Sequence, residues 1–223
     1  EVPIALAHGA EGIGLYRTEF PFIMRQTLPG EADQQAIYSR ILERMPDKPV
    51  VFRTLDAGGD KVIPYLFKTQ EENPALGLRS IRFSLKYPYI LDQQLRAILR
   101  AIQKHRRRDV SIMFPMVSSL EEFEAAKAHV ASCIESVHAE LGDVEVIAPK
   151  IGTMIEIPSV VGIIDRLDAD ASPVELKTAS KSWSQHSADS SLQMTLYSYY
   201  IALTTQKPLV NGRFEIVTKC KTP

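Results

Sequence analysis

The chain has 223 residues, with 26 Lys and Arg against 27 Asp and Glu and a formal net charge of −1. A chain of that length buries roughly 70% of its unfolded surface and fits one large domain or two small ones. The balanced charge gives no reason to expect a nucleic-acid coat or a membrane-surface protein, so any anion site has to be built locally. No apolar run is long enough to span a bilayer. Cys133 and Cys220 lie far apart with no signal peptide, which points to reduced thiols in a cytoplasmic protein.

Taken in order, Ala5 to Gly9 reads as the end of a helix capped by glycine, and the opening Glu1 suggests a piece of a longer chain. Ile13-Gly14-Leu15-Tyr16 is a short apolar strand that ends in Arg17. From Glu31 to Met45, Ile37, Ile41, Leu42 and Met45 recur at helical spacing, which predicts a crossover helix. A second strand, Pro49-Val50-Val51-Phe52, ends in Arg53. A polar loop over 67–74 precedes Ala75 to Arg82, where Arg79 is a third cation.

Pro88 to Lys104 carries Ile90, Leu91, Leu95, Ile98, Leu99 and Ile102 and is a strongly amphipathic helix. The basic run Lys104 to Arg108 offsets the negative end of that helix rather than marking a nucleic-acid contact. Ser111 to Val117 is a buried strand; Ser118 to Glu122 then opens a helix that runs to about Leu141. Lys150 to Ile155 is a further strand ending in Glu156. Strand and helix alternate throughout, which predicts a parallel α/β sheet, open or closed into a barrel.

The stretch VVFRTLDAGGDK (Val50–Lys61) concentrates the chemistry. Residues at the carboxyl ends of parallel strands face the ligand crevice, and Gly58-Gly59 lets backbone N–H groups approach a phosphate. Arg53 and Lys61 supply cations there.

GAEGIGLYRTEFPF (9–22), VVFRTLDAGGDK (50–61), EENPALGLRSIR (71–82), MFPMV (113–117) and GTMIEIP (152–158) together resemble, in collinear order, the C-terminal (β/α)8 barrel of enzyme I of the phosphotransferase system. The likeness is greatest to the nitrogen-related paralogue. It implies a phosphoenolpyruvate site in which Arg17, Arg53 and Arg79 hold phosphate and carboxylate, Lys61 assists, and Glu156 is one of two carboxylates on Mg²⁺. It further implies phosphoryl transfer to a histidine on an N-terminal domain, which meets a phosphocarrier protein, and a possible homodimer. The family's Asn-Asp-Leu-Thr motif, with the second metal ligand, and its Cys-Gly motif are absent from the sequence. The expected fold for 1–158 is therefore a truncated barrel of about five of eight strands, catalytically incomplete. Cys133, within a helix, and Cys220 do not match the family's acid cysteine, and His8, His105, His129, His138 and His186 lack the phosphohistidine motif.

The pattern changes near Pro158 to Gly162. Gly162 to Asp168 and Pro173 to Thr178 read as two strands of a hairpin, followed by an amphipathic helix from Ser191 to Thr204. Residues 159–223 resemble a fragment of the RecB-like PD-(D/E)XK nucleases, a small α/β unit. That resemblance implies Asp165 and Glu175 as metal ligands, Lys177 as the catalytic lysine, and Gln193 and Tyr197 as the Gln-x-x-x-Tyr pair. The expected function is a barrel fragment that binds phosphoenolpyruvate and Mg²⁺. The rivals are a metal-dependent nuclease fragment acting on nucleic acid and a non-catalytic dimerisation or regulatory module.

Overall fold

The computed structural model describes residues 2–58, 63, 65–66, 77–142, 144–161, 174–179 and 213–218. The chain divides into two compact units, Glu1–Glu156 and Ile157–Pro223.

In the first unit a short helix, α1 (Val2–Ala7), stops where Gly9 takes φ +82°, a conformation glycine adopts without strain. Four strands follow: β1 (Ile13–Arg17), β2 (Val50–Arg53), β3 (Val110–Phe114) and β4 (Lys150–Thr153). They form one parallel sheet in the order β1-β2-β3-β4. Spatial order follows chain order without reversal, which is what a (β/α) barrel requires and a doubly wound sheet does not. The α/β class and the parallel sheet of a partial barrel are thus in place, with four strands among the described residues where about five were expected.

The helices of this unit are α2 (Phe20–Ile23), α3 (Glu31–Arg44), α4 (Ser80–Lys86), α5 (Pro88–His105) and α6 (Leu120–Leu141). Their spacing explains their packing. On α5 the stripe Ile90, Leu91, Leu95, Ile98 and Ile102 is wholly buried, each side chain contributing roughly 1.5–3 kcal/mol of transfer free energy. α4 was not foreseen. It is cut from α5 at Tyr87 because Pro88 lacks an N–H and pushes the preceding residue out of the helical region, to φ −121° and ψ 67°. Ser119 caps α6 by accepting from Glu122 N, and the Glu122 carboxylate reaches back to Ser118 N at 2.7 Å. Tyr16 of β1 packs edge-on against Tyr38 of α3 and Phe52 of β2, with centroids 5.5 Å apart for Tyr16 and Phe52 and 5.1 Å for the tilted pair Tyr38 and Phe52.

Lys104 and His105 stand in the last turn of α5 as expected, and Arg107 departs from that expectation. Arg107 is buried and donates to the carbonyls of Leu42, Met45 and Lys48, so it satisfies the open end of α3 rather than its own helix. Asp109 receives the other edge of the same guanidinium.

The second unit contains α7 (Pro158–Val161), β5 (Val174–Ala179) and β6 (Arg213–Thr218). β5 pairs with β6 in parallel, Glu175 opposite Phe214 and Lys177 opposite Ile216. The second strand of the expected hairpin is present, and its partner among the described residues is parallel β6. Residues 162–168 and 191–204, which carry the first hairpin strand and the expected helix, lie outside the described residues. No helix among the described residues is long and apolar enough to cross a membrane.

Candidate anion-binding site

Register brings the first two arginines together. Arg17 is the direct partner of Arg53 across β1 and β2, Arg53 of Met113 across β2 and β3, and Met113 of Gly152 across β3 and β4. Parallel strands all end on one side, so the residues that follow them share a rim.

Burying an arginine is costly unless its charge is met. Arg53 is only 5% exposed, and two acids meet it. Glu19 Oε1 accepts from Arg53 Nη2 and lies 3.7 Å from Arg17 Nε. Asp56 Oδ2 lies 3.2 Å from Arg53 Nη2, and its Oδ1 lies 3.7 Å from Arg79 Nη2 and accepts from Ser80 Oγ. The result is an unbroken series, Arg17, Glu19, Arg53, Asp56, Arg79, in which, among the described residues, three cations alternate with two carboxylates. Arg53 Nε and Arg79 Nε are buried and have no hydrogen-bond partner among the described residues. Arg17 is the solvent-facing member, its side chain half exposed.

Gly58 explains how Arg79 joins the group. Its φ is +108°, and a Cβ there would stand 2.7 Å from Arg79 Cβ and 3.1 Å from the Leu78 carbonyl. Glycine is needed on both counts, and what it admits is the backbone of Arg79. Ser80 N closes the contact on Ala57 O at 2.9 Å, with Ser80 itself at φ +50°. Gly59 and Lys61 lie outside the described residues.

Glu156, after β4, is exposed, and its Oε1 accepts from Met116 N at 2.7 Å. Met116 sits at φ +58° in the loop after β3. From the same loop as Glu156, Met154 Sδ lies 3.8 Å from Arg53 Nη1, so the exit of β4 reaches the arginine of β2. No group of three or more His, Cys, Asp or Glu able to hold a metal occurs among the described residues. Glu156 therefore offers a single carboxylate. That suits Mg²⁺, which is commonly held by one or two carboxylates with water and phosphate oxygens, and does not suit a cage built from protein alone.

The remaining candidates are engaged elsewhere. His129 Nδ1 lies 2.8 Å from Asp92 Oδ1, His8 Nδ1 2.8 Å from Ile4 O and His138 Nδ1 3.3 Å from Val144 O, while His105 Nε2 stands 3.7 Å from Glu43 with no hydrogen-bond partner among the described residues. Burial, then the charge of Asp92, pushes the Cys133 thiol up to about 12, so it is not a nucleophile at neutral pH. In the second unit, Glu175 and Lys177 fall on β5, while His186, Asp165, Gln193, Tyr197 and Cys220 lie outside the described residues.

Sequence reasoning passed over the two counter-ions, Glu19 and Asp56, although both stand within the strand-end motifs. It also passed over Gln94, which shares the buried face of α5 and reaches both strand exits. The signal for Gln94 was available: it falls at helical spacing from Ile90, Leu91 and Ile98, a polar residue in an apolar stripe.

A parallel α/β unit with arginines at the carboxyl ends of its strands defines the class to which this chain belongs. The chain is a member of the family described as PEP-utilising enzyme, PEP-binding domain, which matches residues 1–176. It is 46% identical over 168 residues to a phosphoenolpyruvate-protein phosphotransferase of Bacillus sp. (strain S), covering 74% of this chain and 28% of that protein. It is 48% identical over 153 residues to a multiphosphoryl transfer protein of Rhodobacter capsulatus, covering 69% of this chain and 17% of that protein. Multiphosphoryl transfer protein 1 of Escherichia coli (strain K12) is 43% identical over 166 residues, 74% of this chain and 19% of that protein. The chain thus spans between about a sixth and just over a quarter of the length of these relatives. The family match runs through the Asp165 and Glu175 positions, and so gives the nuclease resemblance no support there.

Proposed function

We propose that the first unit binds phosphoenolpyruvate and is the phosphoenolpyruvate-binding part of a phosphoenolpyruvate-protein phosphotransferase. The observation that carries this reading is the pairing of Arg17 and Arg53 in register on adjacent strands, with Arg79 joined to them through Asp56. A small molecule with a phosphate at one end and a carboxylate at the other suits several guanidinium forks held at fixed separation. Arg17 meets the ligand from the solvent side, Arg53 and Arg79 supply the fixed positive floor, and Lys61, three positions after Gly58 in the sequence, is a further cation for the ligand. Mg²⁺, when bound, neutralises phosphate oxygens; Glu156 would hold it, together with water and the ligand's own oxygens.

The phosphoryl acceptor in this reading is a histidine of a separate domain, and a phosphocarrier protein is the onward partner. The sequence has no Asn-Asp-Leu-Thr or Cys-Gly motif, so binding, and not turnover, is what we assign to these 223 residues.

Isothermal titration of phosphoenolpyruvate with Mg²⁺ into the wild type and Arg17→Gln tests the site. Arg17 is solvent-facing, so the variant should keep its stability within about 0.5 kcal/mol. Losing one charge-assisted contact should weaken binding roughly tenfold or more. Equal heats from the two proteins would remove the assignment.

A further inference from the structure

We propose that Gln94, whose hydrogen-bond partners among the described residues include neither the arginines nor the acids between them, is the residue that positions this site. The proposal rests on the phosphoenolpyruvate reading above and adds to it how the two strand ends are held in mutual register.

Gln94 lies on the buried face of α5 and is 1% exposed. Its Oε1 accepts from Leu55 N at 2.8 Å. Its Nε2 donates both protons, one to Thr18 Oγ1 and one to Tyr38 OH, each at 3.1 Å. Thr18 in turn donates to Arg53 O at 2.8 Å. Tyr38 OH donates to Gln34 Oε1 at 3.1 Å, and Gln34 Nε2 donates to Pro29 O at 2.9 Å. Burial pushes the Tyr38 hydroxyl well above its ordinary value, so it stays a donor.

The consequence for the rim follows from adjacency. Thr18 stands between Arg17 and Glu19, and Leu55 stands beside Asp56. One amide therefore fixes the exit of β1 through Thr18, the exit of β2 through Leu55 N, and the tie between them through Thr18 and the Arg53 carbonyl. A buried network of this kind is rigid only when each member is satisfied, and this one has a fixed direction of donation from end to end. Only glutamine supplies it. Glutamate has one acceptor for Leu55 N but no pair of donors, and methionine has the shape without either function. Placement of binding groups to within about an ångström governs how well a two-ended ligand is held.

The full 223-residue chain is titrated with phosphoenolpyruvate and Mg²⁺, and separately with inorganic phosphate, as wild type, Gln94→Met, Thr18→Val and Val130→Ala. Val130 is a buried core residue of α6 outside the network, and its variant serves as the control for lost stability alone. All titrations are run well below each variant's melting temperature. Gln94→Met and Thr18→Val should weaken phosphoenolpyruvate binding roughly tenfold and phosphate binding by much less, since only the two-ended ligand reads the spacing of the strand ends. Val130→Ala should leave both affinities unchanged. Undiminished phosphoenolpyruvate affinity in Gln94→Met, or equal losses for the two ligands, overturns the positioning role while the site stands. Absence of binding by the wild type overturns both together. Should Gln94→Met fail to fold, Thr18→Val decides alone: the same selective loss supports the role, and an unchanged affinity ends it.

Discussion

Arg96 and Arg100 on α5 are arginines shared between two carboxylates, as Arg53 and Arg79 at the strand ends are linked through acids, yet the two groups are saturated differently. Arg96 directs Nε to Glu31, Nη1 to Ser136 and Nη2 to Glu140, and Arg100 meets Glu31 and Glu140 again from the other side. Every nitrogen of Arg96 has a partner, and the four charges cancel. The cluster ties α3, α5 and α6 together at a partly exposed surface. At the rim, by contrast, Arg53 and Arg79 each keep a buried Nε without a partner among the described residues. Composition and motif cannot tell these clusters apart; saturation can. A closed ion-pair network holds helices, and the less saturated one at the strand rim is where the proposed anion site falls.

Two substitutions test this contrast. Arg53→Met deprives two buried carboxylates of their shared counter-charge, and breaking a buried pair from one side costs about 3–5 kcal/mol. Urea unfolding should show a loss of that size, whereas a loss below about 1 kcal/mol would mean that Glu19 and Asp56 do not depend on Arg53. Arg100→Gln opens the helix network at the surface, where an ion pair is worth roughly 0.2–1 kcal/mol and is screened by salt. The cost should shrink as salt rises, and a cost that is large or insensitive to salt would place this cluster with the buried one.

How much of this was legible beforehand follows the same division. The strand ends could be read because an apolar run stopped by arginine occurs at both Tyr16-Arg17 and Phe52-Arg53, and because the helices over 31–45, 88–104 and 120–141 carry clean apolar stripes. Glu19 and Asp56 were visible as acids but not as counter-ions, since the meeting of Glu19 with Arg53 spans 34 positions and depends on strand register. Arg107 was placed at the end of its own helix. Its guanidinium instead serves α3, because α3 and α5 end side by side, and no local pattern reports that. The sequence presents Gly58 as an approach to phosphate and gives no sign that it also admits the backbone of Arg79.

The smallest expected effect refines the helix side of the comparison. Hydrogen bonding from Arg96 holds the Glu140 carboxyl below its ordinary value of 4.5, with the charges of Arg100 and Arg96 adding to it. A carboxyl whose folded value is depressed contributes stability above its unfolded value, and that contribution is lost as pH falls from there through the folded value. Wild type should therefore lose stability on acidification below about pH 4.5 in part through this group. Glu140→Gln should show a shallower decline of melting temperature over the same range. It should not abolish the decline, because Arg107 lowers Asp109 and Arg25 lowers Asp33 by the same means. Glu140 is solvent-exposed, so the difference between the two slopes should narrow with added salt. Superimposable melting curves for the two proteins from pH 6 down to about pH 3 would show that the Glu140 charge adds nothing to how Arg96 and Arg100 hold their helices.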